Sequence, residues 1–174
     1  MALTAELAKT ATHEPTLTAD VAKERAIVGL INRAARLADD QEFMAWMELF
    51  TDDGEYSAIT LENLRLKGLR LFRDVGRTAL HERMAFLMGL LQVPRGKTVH
   101  LVSNIEVSDG DSEATASAIS SFIIARSGEL EHTQLHAAGR YIDRFERGEG
   151  GWRFKSRLVV VDSNMLPSHF TELL

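Results

Sequence analysis

The sequence predicts a single α+β domain in which the helices come first and the long strands come last. Apolar residues recur with helical spacing in the first half, as in Phe43, Trp46, Met47 and Phe50. After Lys97 the pattern changes to four long segments of strand-forming residues separated by short turns. Helices and strands segregated in this way pack as α+β, and strands of about a dozen residues must twist and bend. We therefore expect a strongly curved antiparallel sheet that wraps around the helices as a cone with an interior pocket.

The apolar spacing predicts three helices before the long strands. The first begins near Thr18 or Asp20, since either side chain can cap a helix. Asp39-Asp40 ends this helix and caps the second, which carries the compact apolar face named above. The third spans about residues 77–91 and ends before a proline and a glycine.

The strand pattern predicts a meander. A short strand is expected at residues 55–60, after a turn at residues 51–54 that contains a glycine. The pattern of residues 61–76 is ambiguous and predicts no particular element. The four long strands are predicted at residues 98–107, 114–126, 131–146 and 152–162. Because the turns between them are short, consecutive strands should pair antiparallel.

The 174 residues fit one domain, which we place at residues 18–174. Residues 1–17 are polar and small, and we expect a tail that is mobile unless something ties it down. The first twelve residues lack the basic start and apolar core of a secretory signal. No apolar run approaches the roughly 20 residues that span a bilayer. The simplest expected location is the cytoplasm.

The charge balance argues against nucleic acid as a partner. There are 25 acidic and 20 basic residues, giving a formal net charge of −5, whereas nucleic-acid affinity depends on neutralising phosphates. One local stretch is basic and interleaved with leucines: Arg65, Lys67, Arg70, Arg73 and Arg77. It has no aromatic platform for stacking bases, so a solvated or partner-facing segment is the better interpretation.

The chain contains no cysteine. It therefore forms no disulfide and has no thiol nucleophile. Iron–sulfur clusters, including the Rieske type, need cysteine ligands, so this chain cannot hold one alone. Any such chemistry must lie on a partner.

Three motifs in the second half of the chain carry a resemblance to a known family. They are His100-Leu101-Val102-Ser103-Asn104 at a strand start, Gly139-Arg140-Tyr141 followed by Asp143, and the segment 157–162. Together with the helix–strand order, they resemble the small (β) subunits of bacterial aromatic-ring-hydroxylating (Rieske non-haem iron) dioxygenases. Those subunits lie within the nuclear-transport-factor-like, or cystatin-like, superfamily. The chain departs from their pattern after Tyr56, where Ser57-Ala58-Ile59-Thr60 replaces an aromatic residue and a proline.

The resemblance implies a structural, non-catalytic subunit with no cofactor of its own. Three such chains would form a trimeric base for three large (α) subunits, which would carry the Rieske cluster and the mononuclear iron. Separate reductase components would deliver electrons from NADH. The residues that we expect at subunit interfaces are His100, Asn104, Arg140, Tyr141, Arg157 and Asp162.

Two other hypotheses stay open. The first is a stand-alone dehydratase or isomerase on the same cone, in which Asp53, Tyr56 and His100 converge on an acid–base pocket. The second is a ligand-binding or adaptor module without catalysis. A metal site at His132 and His136 is not expected, because residues four apart on a strand are separated by about 13 Å.

Overall fold

The computed structural model describes residues 14–90, 96–128, 132–163 and 173–174. The described helices are α1 Glu14–Asp39, α2 Phe43–Met47, α3 Leu61–Leu66 and α4 Gly76–Leu90. The strands are β1 Phe50–Thr60, β2 Phe72–Val75, β3 Lys97–Asp109, β4 Thr115–Ser127, β5 Gln134–Gly148 and β6 Gly151–Val161. The α+β class and the three expected helices are confirmed. α1 already includes residues 14–17, which were predicted as tail; residues 1–13 lie outside the described residues.

All six strands form one curved sheet in the order β2-β1-β6-β5-β4-β3. The predicted meander is confirmed, because β3, β4, β5 and β6 pair antiparallel with their neighbours in sequence. The parallel pairing of β1 with β6 was not predicted from the sequence. This pairing joins the first strand to the last, and it aligns Tyr56 with Arg157.

The segment 51–54 was predicted as a turn but continues β1. The register of β1 against β6 shifts between Phe50 and Glu55, so the extra residues bulge while the backbone remains extended. Gly54 is buried there, and a Cβ added to it would lie 2.9 Å from the Thr51 carbonyl oxygen. The absence of a side chain at Gly54 therefore allows the backbone at this position to lie close to that of Thr51.

The ambiguous segment 61–76 contains both a helix and a strand. The Thr60 hydroxyl accepts a hydrogen bond from the Asn63 N–H at 3.2 Å and caps α3. The helix ends at Lys67, which adopts a left-handed conformation with φ of 54°. The chain then returns as β2, antiparallel to β1.

The core lies between the concave face of the sheet and the helices. It is rich in fully buried aromatic side chains: Trp46, Phe50, Tyr56, Phe122, Tyr141, Phe145 and Phe154. The Trp46 ring lies 4.7 Å from that of Phe50 and 4.9 Å from that of Tyr56, measured between centroids. Such edge and tilted contacts stabilise the core beyond simple area burial.

Candidate functional site

A carboxylate–imidazole pair joins the end of α1 to the start of β3. The backbone N–H of His100 donates to both carboxylate oxygens of Asp39, at 3.1 and 3.0 Å. The His100 Nδ1 lies 2.5 Å from Asp39 Oδ1. The negative end of the helix dipole does not favour an aspartate at a helix C-terminus, so these donors compensate for the placement of Asp39. The imidazole side chain is only 3% exposed.

The other ring nitrogen of His100 contacts a distant part of the chain. Nε2 lies 3.1 Å from the carbonyl oxygen of Leu173. Nδ1 and Nε2 therefore face a carboxylate and a carbonyl, which are both hydrogen-bond acceptors. The imidazole links the end of α1 to Leu173 through both of its ring nitrogens.

Tyr56 contacts Leu174, the residue that follows Leu173. Its hydroxyl donates to the Leu174 carbonyl oxygen at 3.1 Å and accepts from the Leu174 N–H at 3.0 Å. Burial raises the pKa of Tyr56 to about 12. Leu173 and Leu174 are themselves buried against the core. The Leu173–Leu174 segment thus occupies the space beside Tyr56 and His100.

Replacing Tyr56 with phenylalanine removes both of these hydrogen bonds and leaves buried Leu174 backbone groups without the hydroxyl. We expect the free energy of unfolding to fall by about 2 kcal/mol, the usual cost of orphaned buried polar groups. Urea unfolding measures this effect. Thr51→Ala is the control, because it removes only an exposed hydroxyl contact to Asp53. A Tyr56→Phe protein as stable as the wild type would show that the segment is not held in this way.

A second polar pair lies deeper in the cone, across β5 and β6. Arg157 Nε and Nη2 donate to the two oxygens of Asp143 at 2.9 and 2.8 Å. The guanidinium carbon lies 4.3 Å from the ring centroid of Tyr141 and 4.3 Å from that of Phe154. Burial raises the pKa of Asp143, and the Arg157 charge opposes that shift. Although burial alone would lower the pKa of Arg157, Asp143 raises it and keeps the guanidinium charged.

The two tyrosines of the sequence, Tyr56 and Tyr141, are both buried, and burial raises the pKa of each. We expect no phenol of the folded protein to titrate near pH 10. An acid whose pKa is higher in the folded state loses its proton more readily in the unfolded chain, so stability should fall as pH rises from about 10 to 12. Tyrosinate absorbance, followed beside circular dichroism, checks this. If half of the tyrosinate absorbance appeared near pH 10 while the fold stayed intact, one of the two tyrosines would not be buried.

The residues of the stand-alone enzyme hypothesis do not all converge. Tyr56 and His100 meet through the Leu173–Leu174 segment, but Asp53 is exposed and ion-paired with Lys155. The hydrogen bond from Lys155 lowers the pKa of Asp53 and keeps it ionised at the surface. The carboxylate that reaches His100 is that of Asp39, which was predicted to end the first helix and, with Asp40, to cap the second. The sequence feature that could have pointed to Asp39 is its position at a helix C-terminus, where the helix dipole disfavours an aspartate.

The predicted interface residues divide into two groups. Tyr141 and Arg157 point into the cone and are buried, and the His100 ring is buried as well, so these side chains offer no surface to a neighbouring chain. Asn104, Arg140 and Asp162 are exposed, and an interface role for them stays a prediction.

In the described part of the chain, no group of three or more metal-binding side chains converges. No described helix has the length and hydropathy to cross a membrane.

Comparisons with known proteins agree with this fold. The sequence profile of the SnoaL-like domain matches residues 19–158. A crystal structure from Novosphingobium aromaticivorans, described as the β subunit of an aromatic-ring-hydroxylating dioxygenase, is 25% identical. It superposes with a TM-score of 0.77 over 90% of this chain and 99% of that one. Naphthalene 1,2-dioxygenase with bound indole is 20% identical, with a TM-score of 0.69 over 87% of this chain and 85% of its own.

A further structural relative points to a different role. A protein from Novosphingobium aromaticivorans, described as a scytalone dehydratase, is 22% identical and has a TM-score of 0.68 over 84% of this chain and 89% of its own. At such identities the likeness establishes the fold alone. The profile match covers most of the chain, and the chain therefore belongs to the SnoaL-like family, with the nuclear-transport-factor-like, cystatin-like fold that dioxygenase β subunits share.

Proposed function

We propose that this chain is the structural small (β) subunit of an aromatic-ring-hydroxylating dioxygenase and does no chemistry itself. The observation that carries the proposal is that the Leu173–Leu174 segment engages Tyr56 and His100, two of the three groups on which a stand-alone enzyme would depend. The likeness to a dioxygenase β subunit over nearly the whole of both chains supports the same role.

In this proposal the redox groups belong to the large subunit. A Rieske cluster and a mononuclear iron would lie there, since this chain has no cysteine to ligate the cluster. Electrons would come from NADH through separate reductase components, and the assembly would act in the cytoplasm. Three copies of this chain would form a base for three large subunits.

Reconstitution tests the proposal. We expect a dioxygenase large subunit from the same genome, supplied with reductase and NADH, to hydroxylate an aromatic substrate only when this chain is present. In the assembled complex His100→Gln should leave turnover per iron unchanged, because His100 would hold the fold and not the substrate. Loss of turnover in a complex that still assembles with His100→Gln would contradict the proposal.

A second candidate function is a stand-alone dehydratase or isomerase. It is favoured by one observation: Asp39 orients the His100 imidazole, as a carboxylate does for a general base or acid. The purified chain would be offered cyclic ketones and hydroxylated aromatics without any partner. Turnover by the chain alone that disappears in folded His100→Gln would favour this function over the subunit role.

A further inference from the structure

The helix α3 has no buried residue, although specific hydrogen bonds hold its end in place. The Lys67 N–H donates to the Leu64 carbonyl oxygen at 3.4 Å, and the Gly68 N–H donates to that of Asn63 at 2.7 Å. The Asn63 side chain then donates to the Leu69 carbonyl oxygen at 2.9 Å. The two backbone bonds form a Schellman motif, which fixes the path of the chain as it leaves the helix. The end of α3 is therefore ordered although it is exposed.

Two leucines of this ordered turn project into solvent. Leu66 is 71% exposed and Leu69 is 85% exposed, the highest value for a large apolar side chain in the described part of the chain. A single exposed leucine needs no explanation, but apolar side chains grouped within a polar rim are typical of a contact surface. We call Leu66, Lys67 and Leu69 the α3 tip.

Lys67 occupies a backbone position that favours glycine. Its φ of 54° and ψ of 35° lie in the left-handed region, where a side chain costs conformational energy. Helices often end on a glycine at this position. Backbone strain of this kind is concentrated where a side chain serves a function. Lys67 is exposed and forms no ion pair with any residue that the structure describes, so it places an unneutralised cation between the two leucines.

The surface on the β2 side of the α3 tip is basic. Arg70 and Arg73 both bind the one carboxylate of Glu55, with Arg73 Nη2 2.8 Å from Oε2. The Arg70 side chain also donates to the Ser57 hydroxyl at 2.9 Å. The two arginine side chains are 39% and 57% exposed, and each guanidinium keeps N–H donors for a further acceptor. Together with Lys67, three cations therefore face a single carboxylate.

The neighbouring charges of the sheet leave this excess in place. Arg144 of β5 is exposed and lies in the same row of the sheet as Glu55, with one residue of β6 between them. Further along, Lys155 is already paired with Asp53 and Glu146. The row thus adds a cation to the basic side and no free carboxylate.

The opposite side of α3 has a different character. A cavity of about 310 Å³ opens there and is lined by Leu61, Glu62, Arg65, Leu66 and Asp162. Its two carboxylates outnumber its one guanidinium. The α3 tip therefore separates a basic surface from a weakly acidic cavity, and this polarity would fix the orientation of a partner.

We propose that the α3 tip inserts its two leucines into an apolar groove of the dioxygenase large subunit. Acidic side chains beside that groove would pair with Lys67, Arg70 and Arg73. The inference rests on the proposed subunit role and names a surface that would serve it. A bilayer fits less well, because a formal net charge of −5 opposes approach to anionic lipid. A second copy also fits less well, because a two-fold contact would bring the same cations together.

Association with the large subunit tests the inference. The chain would be co-expressed with a dioxygenase large subunit from the same genome, and dissociation of the purified complex on dilution would be followed by mass photometry. Leu66→Ser combined with Leu69→Ser should weaken association by at least about tenfold, the effect of losing a hot-spot contact. Phe86→Ser changes an exposed apolar position on α4 and should associate as the wild type does. Circular dichroism verifies that each variant is folded.

Lys67→Gly separates a role in binding from a role in folding. Glycine relieves the left-handed conformation, so this variant should unfold at a temperature no lower than that of the wild type. It should nevertheless weaken association by about twofold to fivefold, the usual range for an exposed ion pair. The dependence of association on ionic strength should fall as well. Arg25→Ser removes an exposed cation on α1 and should change neither quantity.

The outcomes separate this inference from the subunit role. If the wild type binds the large subunit and the double leucine variant binds equally well, the inference is overturned and the subunit role stands. The same holds if Lys67→Gly changes neither association nor its salt dependence. A wild type that binds no large subunit contradicts the subunit role, and the inference fails with it. If the leucine variant instead loses self-association, or binding to phosphatidylserine vesicles, the tip belongs to a second copy or a bilayer and the inference is overturned.

Discussion

Replacing Arg157 with methionine is expected to lower the free energy of unfolding by about 3–5 kcal/mol, the cost of breaking a buried ion pair from one side. The guanidinium is 3% exposed, makes two hydrogen bonds to Asp143 and lies between the rings of Tyr141 and Phe154. Without it, the Asp143 carboxylate stays buried with no opposite charge and must take up a proton or draw water into the core. Urea unfolding of the two proteins at neutral pH measures the difference.

Two further variants test whether the loss of stability comes from an uncompensated charge. Changing both partners, as Asp143→Leu with Arg157→Met, removes the buried charges together and should recover most of the lost stability. Lys155→Met breaks the exposed pair with Asp53 and should cost less than about 1 kcal/mol. If the double variant lost as much free energy of unfolding as the two single variants added together, the cause would be lost packing and not an uncompensated charge.

Replacing Gly139 with alanine is expected to cost about 3 kcal/mol or more, at the upper end of overpacking effects. Gly139 pairs with Val161 across β5 and β6 and with Phe122 across β4 and β5. A Cβ at this position would overlap the Val160 carbonyl oxygen and would lie 3.1 Å from the Phe122 ring. The obstacle is backbone, which moves only if the strand pairing is disturbed.

The control for Gly139 lies in the same strand. Gly148 ends β5, and a Cβ added there meets no atom within 4 Å. Gly148→Ala should therefore change stability by less than about 1 kcal/mol. Thermal unfolding followed by circular dichroism compares the two alanine variants. If Gly139→Ala unfolded at the same temperature as the wild type, β5 and β6 could not approach as closely as described.

Much of the fold could be predicted because its signals are local. Short turns between alternating segments fix the antiparallel order of β3 to β6, and apolar spacing identifies α1, α2 and α4. The parallel pairing of β1 with β6 has no local signal, since nearly a hundred residues separate the two strands. The turn predicted at residues 51–54 was wrong because a glycine in a buried strand bulge resembles a turn glycine in sequence.

The site was harder to predict, because its contacts join distant parts of the chain. The sequence marked His100 as a histidine in apolar surroundings and Tyr56 as a tyrosine that could point into the cone, but it did not indicate what either side chain contacts. Asp39 lies 61 residues from His100, and the backbone of Leu174 lies 118 residues from Tyr56. Arg157 and Asp143 were each visible as charged strand residues, which are usually exposed. Only the register of β5 against β6 places them directly opposite each other inside the cone.

The mass of the assembled complex tests whether this chain is the small subunit of a dioxygenase. This chain would be co-expressed with a dioxygenase large subunit from its own genome and weighed intact by native mass spectrometry. We expect an iron-containing complex with three copies of the 19.4 kDa chain and three large subunits. A metal-free monomer or dimer of this chain that does not associate with the large subunit would contradict it, and the Asp39–His100 pair would become the centre of a stand-alone activity.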